Sequence, residues 1–188
     1  MKTEIINIID RSGSMASIDK DACGGFNTFI KEQREVPGEA RVTTILFDHL
    51  YEVSYQGISL SEVPHMTTLR PRGNTALLDA IGKTLNDQGK RIADEGWADL
   101  VIVCILTDGG ENASREFNGA AIRRMVKNAQ EKGWTFVFLA ANQDAFAAAD
   151  SYGIARTHTH GFTANSAGTT AAYASISSTT RQLRGTTF

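Results

Sequence analysis

Two stretches, "TEIINIID" (3–10) and "DLVIVCILTD" (99–108), place apolar residues at adjacent positions, Ile5-Ile6 and Ile8-Ile9 in the first and 100–106 throughout in the second, rather than at every second one, and each ends in an aspartate. Successive side chains of a strand point to opposite faces, so an unbroken apolar run needs cover on both sides. "WTFVFLAAN" (134–142) has the same character. Layers of helices above and below a mainly parallel sheet supply such cover. That requirement excludes an all-helical bundle and a sheet with one wet face.

The intervening segments have helical spacing. Phe26, Phe29, Ile30 and Gln33 recur at three and four residues, as do Leu78, Ile81, Leu85 and Ile92, then Ile122, Met125, Val126 and Ala129. The first helix is expected over about 20–35, stopped at Pro37-Gly38, and the second from about Thr75. "ARVTTILFD" and "YEVSYQ" are separated only by His49 and Leu50, which makes a hairpin and puts one antiparallel strand at the sheet edge. "IARTHTHGF" reads as a last edge strand and 167–184 as a closing helix. The fold class is α/β, a three-layer α/β/α sandwich. One domain is expected over 1–188, with its core at about 3–157 and the last helix packed on it.

A formal charge of −2 offers no basic excess to neutralise phosphates, so nucleic acid is an unsuitable partner. The longest clean apolar run, 100–106, falls far short of the roughly 20 residues that span a bilayer. The start has no secretory pattern. Cys23 and Cys104, two cysteines without an export signal, read as free thiols and point to a cytoplasmic protein.

In open parallel sheets, ligands bind beyond the carboxyl ends of the strands. Asp10 and Asp108 end two buried strands, and "DRSGSM" adds Ser12 and Ser14. "RGNTALLDA" puts Thr75 at a helix start after a flexible Gly73-Asn74. Asp10, Ser12, Ser14, Thr75 and Asp108 therefore form a set of five oxygen donors with no nitrogen or sulfur. Such a set selects a hard cation, Mg²⁺ or Mn²⁺ before Ca²⁺. Neutral hydroxyls leave the ion much of its charge, so an anionic oxygen from outside is expected to complete it.

"DRSGSM", "GNTALLDA" and "LTDGGEN", in that order, resemble the three loops of the metal-ion-dependent adhesion site of von Willebrand factor type A domains, in particular small stand-alone bacterial and phage members. The resemblance implies a doubly wound, mainly parallel sheet with one antiparallel edge strand and a Mg²⁺ or Mn²⁺ held by Asp10, Ser12, Ser14, Thr75 and Asp108. It also implies a protein partner whose Asp or Glu carboxylate completes the metal. Arg11 and Asn74 depart from the residues many members carry there, and with Glu111, Asn112 and Asn142 they are the expected partner-binding rim.

Other functions fit less well. There is no G-x-S-x-G elbow, no phosphate-binding glycine loop and no second carboxylate two residues after Asp10, so catalytic residues are expected to be absent. A metal-dependent phosphoryl hydrolase and a metal-free scaffold are the alternatives. Asp79 is expected to favour the start of its helix, and Asp48 to shape the hairpin turn. His158 and His160 lack a third ligand nearby in sequence.

Overall fold

The computed structural model describes residues 1–141 and 144–185. Six strands, β1 (Lys2–Asp10), β2 (Glu39–Phe47), β3 (Tyr51–Ser59), β4 (Leu100–Thr107), β5 (Trp134–Ala141) and β6 (Thr159–Phe162), form one sheet in the order β3-β2-β1-β4-β5-β6. Every neighbouring pair is parallel except β2–β3. Five helices cover it: α1 (Asp19–Arg34), α2 (Leu77–Glu95), α3 (Gly119–Glu131), α4 (Ala145–Tyr152) and α5 (Ser166–Gly185).

The apolar runs divide between the two faces as the strand period requires. Ile5 and Ile9 of β1 join the layer under α1 and α5, while Ile6 and Ile8 join the layer under α2, α3 and α4. Ile5, Ile6 and Ile8 are wholly buried, each contributing about 1.5–3 kcal/mol against an exposed reference. The chain leaves β1 for β2 on one side through α1. It reaches β4 on the other side of β1 through α2. The loops after β1 and β4 therefore diverge at the point where the strand order reverses, and a crevice opens between them.

The second helix begins at Leu77 rather than Thr75. Ala76 has φ −98° and ψ 63°, outside the helical region, and the Thr75 amide is held by the side chain of Asn112 at 2.9 Å. The last edge strand is shorter than its apolar pattern suggests, because Arg156–His158 form a turn of 3₁₀ helix before it.

Glycines inside a helix cost about 1 kcal/mol each relative to alanine, and α1 carries two. At Gly25 a Cβ would lie 2.2 Å from a ring carbon of Tyr173, whereas at Gly24 nothing stands within 4 Å. Tyr173 of α5 thus beds into a notch on α1. Gly25→Ala should cost about 1–3 kcal/mol through overpacking, while Gly24→Ala should gain about 0.5–1 kcal/mol. Denaturant midpoints of the two variants, moving in opposite directions, check the close approach of α1 and α5.

Candidate metal centre

The crevice brings together oxygens from three loops. Asp10 ends β1 with its carboxylate wholly buried; one oxygen accepts the Ser12 amide at 2.6 Å and the other the Thr107 hydroxyl at 2.6 Å. The Ser12 and Ser14 hydroxyls are 3.2 Å apart, and the Ser14 hydroxyl donates to Asp108 at 2.6 Å. Thr75 enters from the second loop. A Cβ built on Gly109 would lie 3.7 Å from both the Ser14 and Thr75 hydroxyl oxygens, so the two converge on the small residue after Asp108. Asp10, Ser12, Thr75 and Asp108 are nearly buried and Ser14 is exposed, giving the cluster one open side.

Backbone contacts fix this meeting. The Gly13 amide donates to the Gly73 carbonyl at 3.0 Å, and the Arg72 amide to the Arg11 carbonyl at 2.8 Å. Asn112 and Ala113 both donate to the Thr75 carbonyl, at 3.0 and 3.2 Å. The third loop is therefore clamped on Thr75 from both ends of that residue's peptide unit.

Burial pushes the Asp10 carboxyl up to about 6, although the Thr107 and Ser12 hydrogen bonds pull the other way and Asp108 adds to the rise. Burial also raises Asp108, against the Ser14 hydrogen bond. Octahedral coordination at 2.0–2.1 Å sets neighbouring ligand oxygens about 2.9 Å apart. The Ser12–Ser14 separation of 3.2 Å is close to that edge. The 2.6 Å Ser14–Asp108 contact is a hydrogen bond that must lengthen if both oxygens bind one ion. The donor set thus fits a small hard cation. Among the described residues no group of three or more His, Cys, Asp or Glu could hold a metal, so the hydroxyls are essential to any such site.

The rim residues are placed differently from one another. Asn74 is exposed. Arg11 is only 4% exposed, and its guanidinium turns to Asp48 at 3.1 Å and Glu52 at 2.9 Å, so its charge goes to the hairpin rather than to the rim. Glu111 also turns inward, taking the amides of Leu78, Ala113 and Ser114 and the Ser114 hydroxyl. An open α2 N-terminus draws this carboxylate inward. Asn112 is exposed at its edge yet spends its carbonyl oxygen on Thr75. Asn142 lies outside the described residues.

Sequence reasoning missed one supporting residue, Thr107, and saw only part of the roles of Asp79 and Asp48. Thr107 orients Asp10, and the T-D pair ending β4 was the available signal. Asp79 is more than a charge at a helix start, since it accepts the amides of Arg115, Glu116 and Phe117, each at 2.9 Å. Asp48 shapes the hairpin as expected, by accepting the Leu50 amide at 2.6 Å, and it also binds Arg11 and Arg72. His158 and His160 lie on the edge strand and the turn before it.

No protein-family model matches this sequence, and no curated protein does. Solved structures do match in shape. Proximal thread matrix protein 1 from the mussel byssus, with a zinc-occupied MIDAS motif, superposes over 95% of this chain with a TM-score of 0.66 and 13% identity. A von Willebrand factor type A protein from Catenulispora acidiphila superposes over 94% with a TM-score of 0.61 and 14% identity. This chain has the von Willebrand factor type A fold. The vWF domain of the type V pili tip protein Mfa5 from Porphyromonas gingivalis matches over 99% of this chain and 97% of its own, with a TM-score of 0.65 and 13% identity. By contrast, this chain spans 46% of the byssus protein and 42% of the Catenulispora protein, less than half of each. No helix among the described residues is long and apolar enough to cross a membrane.

Proposed function

We propose that this chain is a divalent-metal-dependent protein-binding module, one domain over its whole length, whose partner contributes an Asp or Glu carboxylate. The observation that carries this reading is the convergence of the Ser12, Ser14 and Thr75 hydroxyls with the buried Asp10 and Asp108 carboxylates at one crevice with an open side. Asp10, Ser12, Ser14, Thr75 and Asp108 would hold Mg²⁺ or Mn²⁺. When bound, such an ion supplies a Lewis-acidic centre for a foreign carboxylate oxygen. Ser12 and Ser14 lend neutral oxygens and so leave that centre cationic. Thr107 and the Ser12 amide hold Asp10 in one orientation. Exposed Ser14 and Asn74 border the open side.

Binding rather than turnover is the role these residues support. His49, which lies against Gly73, faces Asp48 at 3.3 Å and is engaged with the hairpin. Cys23 and Cys104 are unpaired and buried, which suits a reducing, cytoplasmic setting.

The test has two parts. Mg²⁺ or Mn²⁺ at about a hundredfold excess over its dissociation constant should stabilise the protein by about 2.7 kcal/mol, read as a rise in melting temperature that EDTA reverses. Capture of carboxylate-bearing peptides should then disappear in EDTA. Unchanged melting in metal and chelator would overturn the reading. Mn²⁺-dependent turnover of a phosphate monoester would replace it with a phosphoryl hydrolase.

A further inference from the structure

Beside the metal loops lies a polar cleft of about 540 Å³, lined by Ala76, by Ala80 of α2, by the β2–β3 hairpin and by the 112–116 segment. It is continuous with the crevice, because Asn74 and Asn112, which flank Thr75 in space, also line it. Its lip carries Leu50, 53% exposed at the hairpin tip.

The charges inside are largely cancelled. Glu116 pairs with Lys83 at 2.8 Å, and the Asp79 carboxylate is wrapped by three amides. His49 is turned to Asp48. Two α2 amides that could attract an anion are taken, Leu78 by Glu111 and Asp79 by Ser114. Arg115 is different. It is exposed, lines the cleft, and makes no ion pair among the described residues. Two acids, Asp79 and Glu116, and two bases, Lys83 and Arg115, line the cleft, and with Lys83 paired to Glu116 and Asp79 held by its three amides the exposed guanidinium of Arg115 is the group open to a new ion pair. Opening from a site that seeks a carboxylate, the cleft complements a chain with two acidic side chains a few residues apart.

We propose that this cleft is the second half of the partner site, receiving the peptide segment beside the metal-bound carboxylate and, through Arg115, a second acidic side chain on it. The proposal rests on the function proposed above and adds the partner's chemistry: an extended acidic segment with its two carboxylates on the same side of the metal loops.

The probe is an array of octapeptides with one fixed central Asp, the other positions varied, read in Mn²⁺ and in EDTA. Wild-type protein should select a second Asp or Glu at one preferred offset from the central residue. Arg115→Gln should weaken the best peptide about fivefold and erase that preference, and Arg115→Lys should restore most of both. Mn²⁺ affinity of the variants, measured calorimetrically without peptide, should equal that of wild type. If peptides bind in Mn²⁺ with no second-acid preference, or Arg115→Gln binds as wild type does, the cleft proposal fails and the metal-dependent module stands. If no peptide binds better in Mn²⁺ than in EDTA, both fail together.

Discussion

Replacing Asp10 with asparagine is expected to abolish metal binding and, in EDTA at neutral pH, to raise the melting temperature above that of the wild type. The two effects have one cause. Asp10 is wholly buried and makes hydrogen bonds but no ion pair among the described residues. Its carboxyl is pushed from 3.8 up to about 6. A rise of about two units corresponds to about 3 kcal/mol against the ionised form in the folded state. Between roughly pH 4 and 6 the folded protein keeps a proton that the unfolded chain has released, so metal-free stability falls across that window and is level above it. Asparagine removes the charge while keeping the bonding pattern. Its carbonyl oxygen can accept the Ser12 amide, and its amide can donate to the Thr107 hydroxyl, which has the Gly109 carbonyl within 2.9 Å as its own acceptor. Metal competes with the Asp10 proton. The melting-temperature gain from Mg²⁺ should therefore be full at pH 7.5 and fade below about pH 6. Calorimetric scans of both proteins at pH 5 and 7.5, with Mg²⁺ and with EDTA, measure all of this. An asparagine variant less stable than wild type in EDTA at pH 7.5 would mean that Asp10 is not an uncompensated charge.

That an aspartate should be kept where asparagine folds better is the expected mark of a site selected for binding rather than stability. The sequence made this much legible for a physical reason. Asp10 and Asp108 close strands whose apolar runs demand burial on both faces, so their position at one rim follows from the sheet. Ser12 and Ser14 are local to Asp10, and Thr75 is marked by the glycine and asparagine before it. What the sequence did not disclose depends on which distant segment lies across a side chain. Arg11 reads as a charge beside the ion until the hairpin brings Asp48 and Glu52 to it. Glu111 reads as a rim acid until the amide of Leu78, remote in sequence, is found against it. Both departures obey one rule: a charged group near an unsatisfied partner in a low-dielectric wall turns to that partner rather than to water. The start of α2 moved from Thr75 to Leu77 because Asn112 holds the Thr75 amide in a loop conformation, again a contact between segments far apart in the chain.

Asp48→Ala is expected to destabilise the protein by about 3 kcal/mol and to weaken metal binding although Asp48 touches no proposed ligand. Its wholly buried carboxylate binds Arg11 Nε at 3.1 Å and Arg72 Nε at 2.8 Å, and its carbonyl accepts the Ala76 amide at 2.8 Å. Burial alone would raise this carboxyl, but Arg72, the Leu50 amide and Arg11 outweigh it and hold it below the usual range. That stability is present above about pH 4 and is lost as pH falls through the lowered value. Arg11 follows Asp10 and Arg72 precedes Thr75 by three residues, so one carboxylate links the first and second metal loops to the hairpin, while the backbone tie to Ala76 survives the substitution. Removing one member of a buried pair costs about 3–5 kcal/mol because the other is left charged in a dry place. The lower end applies here, since Glu52 still holds Arg11 at 2.9 Å and Arg72 is half exposed. The control is Arg11→Met with Asp48→Ala. Deleting both charges should recover part of the stability without restoring metal affinity, because the tie between the loops stays broken. If affinity returns along with stability, Asp48 serves the fold alone, and the loops hold their oxygens in place without it.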